Sequence, residues 1–309
     1  MTGNQQTEQT EQPGFKAGYV AIVGDTNVGK STLMNGLVGQ KISIVTNKPQ
    51  TTRHKVLGIL SREDHQIIFL DTPGLLQPKY LLHEAMMRFA QSAIEDADVV
   101  LFMIDVTDPK MGEEVEYNAA FRRLKDLKKP VFLVINKIDL VTKEEVLLVI
   151  AFYSNKYPFK EIFPISALNL FGTTELVNFL VKELPEHPPY YPPDVVSEQP
   201  ERFFVGEIIR EKIFEKFKEE IPYSTTVDII EFKEQAGKKD VIHAEIYVER
   251  ESQKGILIGK KGLALKEVGT SARKDIEAFL GRPVFLELHV KVREKWREKE
   301  EWLRRLGYR

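Results

Sequence analysis

Five short runs in the first part of the chain are almost wholly apolar: Val20–Val23, Ile67–Leu70, Val99–Val106, Val131–Ile135 and Phe163–Ile165. Runs of this length read as strands covered on both faces. Amphipathic stretches near 82–96, 113–127, 144–157 and 173–184 read as the helices between them. Such alternation predicts a mostly parallel sheet wrapped by helices, with ligands held beyond the carboxyl ends of the strands. From Leu184 to Asp194 the pattern breaks, with five prolines in the stretch. Proline cannot continue a helix and favours an extended spacer, so a domain boundary is expected here. A Pro-rich surface loop inside one domain is the alternative.

Past the prolines a different order begins. Residues 201–218 read as an amphipathic helix with Val205, Ile209, Ile213 and Phe217 at four-residue steps. Two β-prone runs follow, Thr225–Phe232 and Val241–Val248, with a turn at 235–239. A glycine-bracketed loop, a helix at 263–280, a strand at 284–292 and a charged terminal helix complete the chain. The expected division is a tail over 1–15, an α/β domain over 16–184, a linker over 185–197 and a smaller α+β domain over 198–309.

Composition narrows the chemistry. Of 309 residues, 44 are basic and 46 acidic, so any nucleic-acid surface must be a local patch. The absence of cysteine excludes disulfides and thiolate metal sites. Six histidines (54, 65, 83, 187, 243 and 289) show no paired ligand spacing. No apolar run is long enough to span a bilayer. Met1–Gly14, rich in Gln, Thr and Glu, reads as disordered and not as a signal peptide.

The strongest motif is Gly24-Asp-Thr-Asn-Val-Gly-Lys-Ser31, a phosphate loop between a strand and a helix. Its backbone N–H groups and the positive end of the helix would cradle phosphates. Lys30 would reach the β- and γ-phosphates, and the Ser31 hydroxyl would hold Mg2+. Asp71-Thr72-Pro73-Gly74 ends a second strand; Asp71 could reach Mg2+ through water, and the Gly74 N–H could meet the γ-phosphate. Asn136-Lys137-Ile138-Asp139 ends a third. The Asp139 carboxylate can accept hydrogen bonds from guanine N1–H and its amino group, whereas adenine offers a lone pair at N1 and nothing at C2. Lys137 would lie over the base, and Asn136 would tie neighbouring loops together. A backbone N–H of Ser166-Ala167-Leu168 could bind guanine O6. In the polar run Asn47–Arg53, Thr52 is preferred to Thr51 as a Mg2+ ligand ordered by the γ-phosphate. Arg53 and His54 are expected to be solvated.

Together these motifs resemble the translation-factor-related P-loop GTPases over residues 16–184. The resemblance implies a nucleotide site made of Gly24, Asp25, Thr26, Asn27, Val28, Gly29, Lys30, Ser31, Thr32, Asp71, Thr72, Pro73, Gly74, Leu75, Asn136, Lys137, Ile138, Asp139, Ser166, Ala167 and Leu168. Lys30, Thr52, Asp71 and Gly74 are the implied catalytic group. Ras-like members carry a water-orienting glutamine where this chain has Leu75, which implies slow intrinsic turnover. In several relatives an asparagine placed like Asn27 binds K+ beside the phosphates; stabilising the loop is its alternative role. Asp25-Thr26 stands where relatives often carry Arg-Pro.

The second half turns on Ile256-Leu-Ile-Gly-Lys-Lys-Gly-Leu263. Gly-x-x-Gly between helices lets a turn approach a nucleic-acid backbone, and Lys260 and Lys261 supply phosphate contacts. From Lys254 to Lys274 there are six basic residues and one acidic residue, Glu267. With the order helix–strand–strand–helix–helix–strand, this is similar to a type II KH domain. Single-stranded RNA beside Gly259 and Gly262, its bases touched by Ile256 and Ile258, is the expected ligand.

A P-loop GTPase domain joined to a KH domain resembles the Era family of bacterial ribosome-assembly GTPases over nearly the whole chain. Gly39–Ser43, Pro49–Arg53 and His289–Tyr308 carry further likeness. The resemblance implies GTP and GDP as ligands, Mg2+, binding of 16S rRNA near its 3′ end, and maturation of the 30S subunit. It also implies a cytoplasmic monomer with occasional contact at the membrane face. An RNA-binding scaffold with a mainly structural guanine nucleotide is the alternative.

Overall fold

The computed structural model describes residues 14–108, 119–124, 127–235 and 237–308. Most of the expected tail, and most of the helix expected at 113–127, lie outside the described residues.

The sheet of the N-terminal part has the order β2-β3-β1-β4-β5-β6. Its strands are β1 Lys16–Gly24, β2 Val56–Ser61, β3 His65–Asp71, β4 Val99–Asp105, β5 Val131–Asn136 and β6 Glu161–Pro164. All neighbours are parallel except β2, which runs antiparallel to β3. The apolar runs explain the central strands. Val20, Ile22, Ile67, Phe69, Leu101 and Phe132 bury one face, and Ala21, Val23, Ile68, Leu70, Phe102 and Leu133 the other. Helices α1 Lys30–Val38, α2 Leu81–Asp96, α3 Ala119–Leu124, α4 Lys143–Ser154 and α5 Thr173–Glu183 cover these faces. Strand β2 was not apparent from the pattern. It forms by pairing across β3, with Gly58 where a Cβ would meet Met34 and Ile42 at 2.9 Å.

In this order the carboxyl ends of β1, β3, β4 and β5 lie side by side. That gathers Gly24, Asp71, Asp105 and Asn136 along one edge, as the rule for parallel sheets requires.

The proline-rich stretch is extended but not free. The Ile59 N–H donates to the Val196 carbonyl, the Ser197 hydroxyl to that of Leu57, and Gln66 bonds the backbone of Tyr190 and Tyr191. Helix α6 Glu201–Lys216 and the short α7 Ile221–Ser224 lead into a second sheet, β7 Thr226–Lys233, β8 Asp240–Val248 and β9 Val284–Val292. Strands β7 and β8 are antiparallel, β8 and β9 parallel. Helices α8 Glu251–Ile258 and α9 Leu263–Leu280 make the crossover, and α10 Glu300–Arg305 ends the chain. The expected apolar stripe of α6 packs as expected: Val205, Ile209 and Ile213 join Ala272 and Ile276 of α9 in the core. Its opposite face is not solvated, however, for Arg210 and Glu211 are each 1% exposed.

Candidate functional site

A cleft of about 490 Å3 opens at the carboxyl edge of the large sheet, lined by the phosphate loop, residues 44–47 and 50–52, Gly74, Asn136, Lys137, Asp139, Leu140 and Leu168. The phosphate loop leaves β1 at Gly24 and enters α1 at Gly29, whose φ is 102°. A Cβ on Gly29 would stand 2.3 Å from the Asn136 amide, so glycine is required for both backbone shape and close approach. That amide joins three loops. Asn136 Nδ2 donates to the Val28 carbonyl at 2.8 Å, and its Oδ1 accepts from the Ala167 N–H at 2.8 Å.

At the phosphate end, Lys30 is buried, and its ammonium donates to the carbonyls of Gly24 (3.2 Å) and Asp25 (2.6 Å). Burial pulls its pKa down to about 8, against the charges of Asp71 and Asp25. An anionic ligand would reverse this. The Ser31 hydroxyl stands 2.7 Å from Asp71 Oδ2 and 3.0 Å from the Thr52 hydroxyl. The Ser43 hydroxyl donates to the same Asp71 oxygen at 2.8 Å. Burial raises the Asp71 pKa, opposed by hydrogen bonds from Ser31 and the charge of Lys30. Asp71 Oδ1 is buried with no hydrogen-bond partner. An orphaned carboxylate oxygen beside the hydroxyls of Ser31, Ser43 and Thr52 is all-oxygen chemistry that suits Mg2+. Thr51 does not compete for this corner, since its hydroxyl bonds Thr46 and the Lys48 carbonyl.

At the base end, Lys137 adopts a left-handed φ of 66° and pairs with Asp105 at the tip of β4. Asp139 is exposed at the mouth of the cleft, where a base could approach it. Of the N–H groups of Ser166, Ala167 and Leu168, the first donates to the Phe171 carbonyl and the second to Asn136. Only that of Leu168 has no partner among the hydrogen bonds of the described residues. Thr26, Asn27 and Thr32 line the phosphate end, while Val28 packs into the core. The Thr72 hydroxyl is turned inward to the Ile22 carbonyl, Pro73 is buried, and Ile138 packs against the core beside the base loop. Asn27 donates to the Asn47 carbonyl at 3.1 Å, which ties the phosphate loop to residues 41–55. Leu75 is 5% exposed and packed in the core, so it orients no water.

Two expectations fail. Arg53 is 2% exposed, and its guanidinium donates to the carbonyls of Thr225 (2.7 Å), Pro222 (3.1 Å) and Tyr223 (3.0 Å). His54 stacks on Tyr308 at 4.3 Å and meets Phe203 edge-on at 5.5 Å. Arg53 is not solvated and His54 is half-buried, because the far end of the chain packs over them. Sequence reading also missed Ser43 and Asp105. Asp105 had a usable signal, a carboxylate ending an apolar strand; Ser43 had none.

In the second part, α8 breaks at Gly259 and α9 starts after Gly262, with Lys261 at a left-handed φ of 52° between them. Leu257 points into the core at 0% exposure, whereas Ile256 is 53% exposed and Ile258 half-buried. Lys260 and Lys261 are exposed. Apolar and basic groups thus surround one turn.

Fold and site define a P-loop GTPase fused to a KH RNA-binding domain. The family model for the 50S ribosome-binding GTPases matches residues 19–137 and that for the KH domain residues 220–297. A solved Aquifex aeolicus Era variant bound to GDP·AlF4− is 46% identical, covering 95% of this chain and 99% of its own, with a TM-score of 0.89. Era bound to MgGDPNP and nucleotides 1506–1542 of 16S ribosomal RNA is likewise 46% identical over 95% and 99%, with a TM-score of 0.90. The chain belongs to the Era family of GTPases. Membership makes GTP hydrolysis the chemistry of the cleft, in place of a purely structural nucleotide.

Proposed function

We propose that this GTPase binds 16S ribosomal RNA near its 3′ end through the turn at Gly259–Gly262 and assists maturation of the 30S subunit, with GTP gating the interaction. The observation that carries the reading is the exposed set Ile256, Lys260 and Lys261 on the same chain as the guanine nucleotide cleft. Exposed apolar side chains beside a basic turn are what unstacked bases and their phosphates require. The likeness to an Era structure holding 16S rRNA supports the choice of RNA.

Each residue then has a role. Lys30 and the backbone of Gly24–Thr32 hold the phosphates, and Gly74 meets the γ-phosphate. Asp139 accepts from guanine, Leu168 donates to O6, Lys137 covers the ring, and Asn136 keeps the three loops in register. Ser31 and Thr52 would hold Mg2+ directly and Asp71 through water; when bound, the ion neutralises charge on the β- and γ-phosphates. With Leu75 in place of a glutamine, hydrolysis relies on positioning and charge, and turnover is slow. Asn27 is the residue through which K+ would act beside the phosphates. The domain division is at the proline-rich stretch 185–197. A cytoplasmic location fits a chain in which no described helix is long and apolar enough to cross a membrane. The terminal helix carries mixed charges and turns Leu303 inward, so it supports no apolar membrane face.

Crosslinking in cells followed by sequencing of the attached RNA tests the partner. Recovery of one site near the 16S 3′ end is expected, and RNA scattered over unrelated transcripts would end the proposal. GTP turnover with and without that RNA, in K+ and in Na+, tests gating and the cation together; four equal rates would remove both.

A further inference from the structure

Helix α6 meets the loop between α1 and β2 through charged groups that sit outside the nucleotide cleft. The Arg210 guanidinium grips Glu207 and donates through Nη2 to the Thr51 carbonyl at 2.5 Å. Glu211 Oε1 accepts the Val45 N–H at 3.0 Å, and Oε2 takes the Lys41 ammonium at 2.6 Å. Lys48 donates to the carbonyls of Phe214 and Phe217, where the helix ends and its dipole is negative. Residues 41–53 are therefore held along their length by the KH side of the molecule.

Burial makes this hold conditional. A charge removed from water is tolerated only while it stays paired. Should residues 41–53 leave, Arg210 loses the Thr51 carbonyl and Glu211 loses the Val45 N–H and the Lys41 ammonium, unless α6 moves as well. Loop and helix are thus one mechanical unit. The Thr51 carbonyl belongs to the peptide that carries the Thr52 nitrogen, so fixing it fixes where the Thr52 hydroxyl stands. That hydroxyl is 3.0 Å from Ser31, which is in turn 2.7 Å from Asp71.

We propose that Arg210 and Glu211, on the first helix of the KH part, are positioning residues for GTP hydrolysis. They touch neither nucleotide nor reacting atoms. They act through the backbone of residues 45–51, holding Thr52 at the corner formed by Ser31 and Asp71. The RNA-binding part thereby completes the triphosphate end of the site, while the diphosphate end stands without it. Among the described residues, the hydrogen bonds of Asn27, Lys30, Ser31, Asn136 and Ala167 involve no residue of α6. The inference concerns the triphosphate end of the site and stands independently of which RNA is bound.

The test uses the full chain without RNA, carrying Arg210→Met or Glu211→Gln. Equilibrium titration with fluorescent GDP and GDPNP gives an affinity ratio, and hydrogen exchange reports on the amides of residues 44–53. Each variant should lose about tenfold in GDPNP affinity, the scale of one charge-assisted hydrogen bond. GDP affinity should stay within about twofold, while exchange at 44–53 accelerates in the GDPNP state. Arg210→Lys, which keeps a donor for Thr51, should recover part of the loss. Lys216→Ala, on the same helix but paired with Glu267, should change neither readout. An unchanged affinity ratio with unchanged loop protection would overturn the proposal, as would equal losses for both nucleotides. If Arg210→Met does not fold, the near-isosteric Glu211→Gln decides by the same ratio.

Discussion

Replacing Asp139 by asparagine isolates the group that chooses the base. The carboxylate offers two acceptor oxygens to two guanine donors, and each such charge-assisted bond contributes roughly 1.5–3 kcal/mol. Asp139 is exposed at the cleft mouth, so the lower end applies, about 3 kcal/mol for the pair. Asparagine loses one of these bonds outright and leaves the other uncharged, so at about 1.4 kcal/mol per tenfold GDP and GTP affinity should fall by at least about tenfold. The change also reverses one partner. Asparagine keeps an acceptor for N1–H but presents an N–H2 where guanine has its own amino group, and xanthine has a carbonyl there. Xanthosine diphosphate should therefore bind Asp139→Asn more tightly than it binds the parent, and adenosine diphosphate should remain weak on both. Isothermal titration with the three diphosphates measures this directly. GDP affinity within about threefold of the parent, or no gain for the xanthosine nucleotide, would refute the assignment of base selection to this carboxylate.

Gly29→Ala should nearly abolish nucleotide binding and cost about 2 kcal/mol of stability, because a side chain at a φ of 102° must also displace the Asn136 amide; calorimetry and GDP titration check both. Removing Lys260 and Lys261 together should lower the slope of log affinity against log salt for single-stranded RNA by about 1.4, with folding unchanged. A pH dependence follows from His54, whose pKa burial pulls down to about 4. The unfolded chain takes up this proton near pH 6.5, so between those values the unfolded state binds more protons and stability falls as pH falls. His83, also lowered to about 4 by burial, acts in the same direction. His54→Phe should therefore flatten part of the loss of melting temperature between pH 6.5 and 4, and an unchanged profile would show that His54 is not held neutral.

The local motifs were legible because their chemistry is local. A phosphate loop needs its glycines, lysine and serine within eight residues, so Gly24–Ser31 announces itself, and Asp71 and Asn136–Asp139 each end an apolar strand. Sequence preferred Thr52 to Thr51, and the tertiary structure separates the two hydroxyls. The triplet Ser166–Leu168 was legible as a loop, but which N–H stays available depends on Asn136 and Phe171.

Sequence alone determined the order of the elements apart from β2 and the short α7, together with the nucleotide loops and the glycine-bracketed basic turn, since each is written in contiguous residues with their own periodicity and backbone demands. It could not determine which charges leave water. Arg53, Arg210 and Glu211 have the side chains of a solvated surface, and the backbone groups they bind across the molecule lie about 160 or more residues away along the chain. Burial is a property of what folds against a residue, so only the tertiary structure could decide that residues 41–53 belong equally to the nucleotide cleft and to the KH helix.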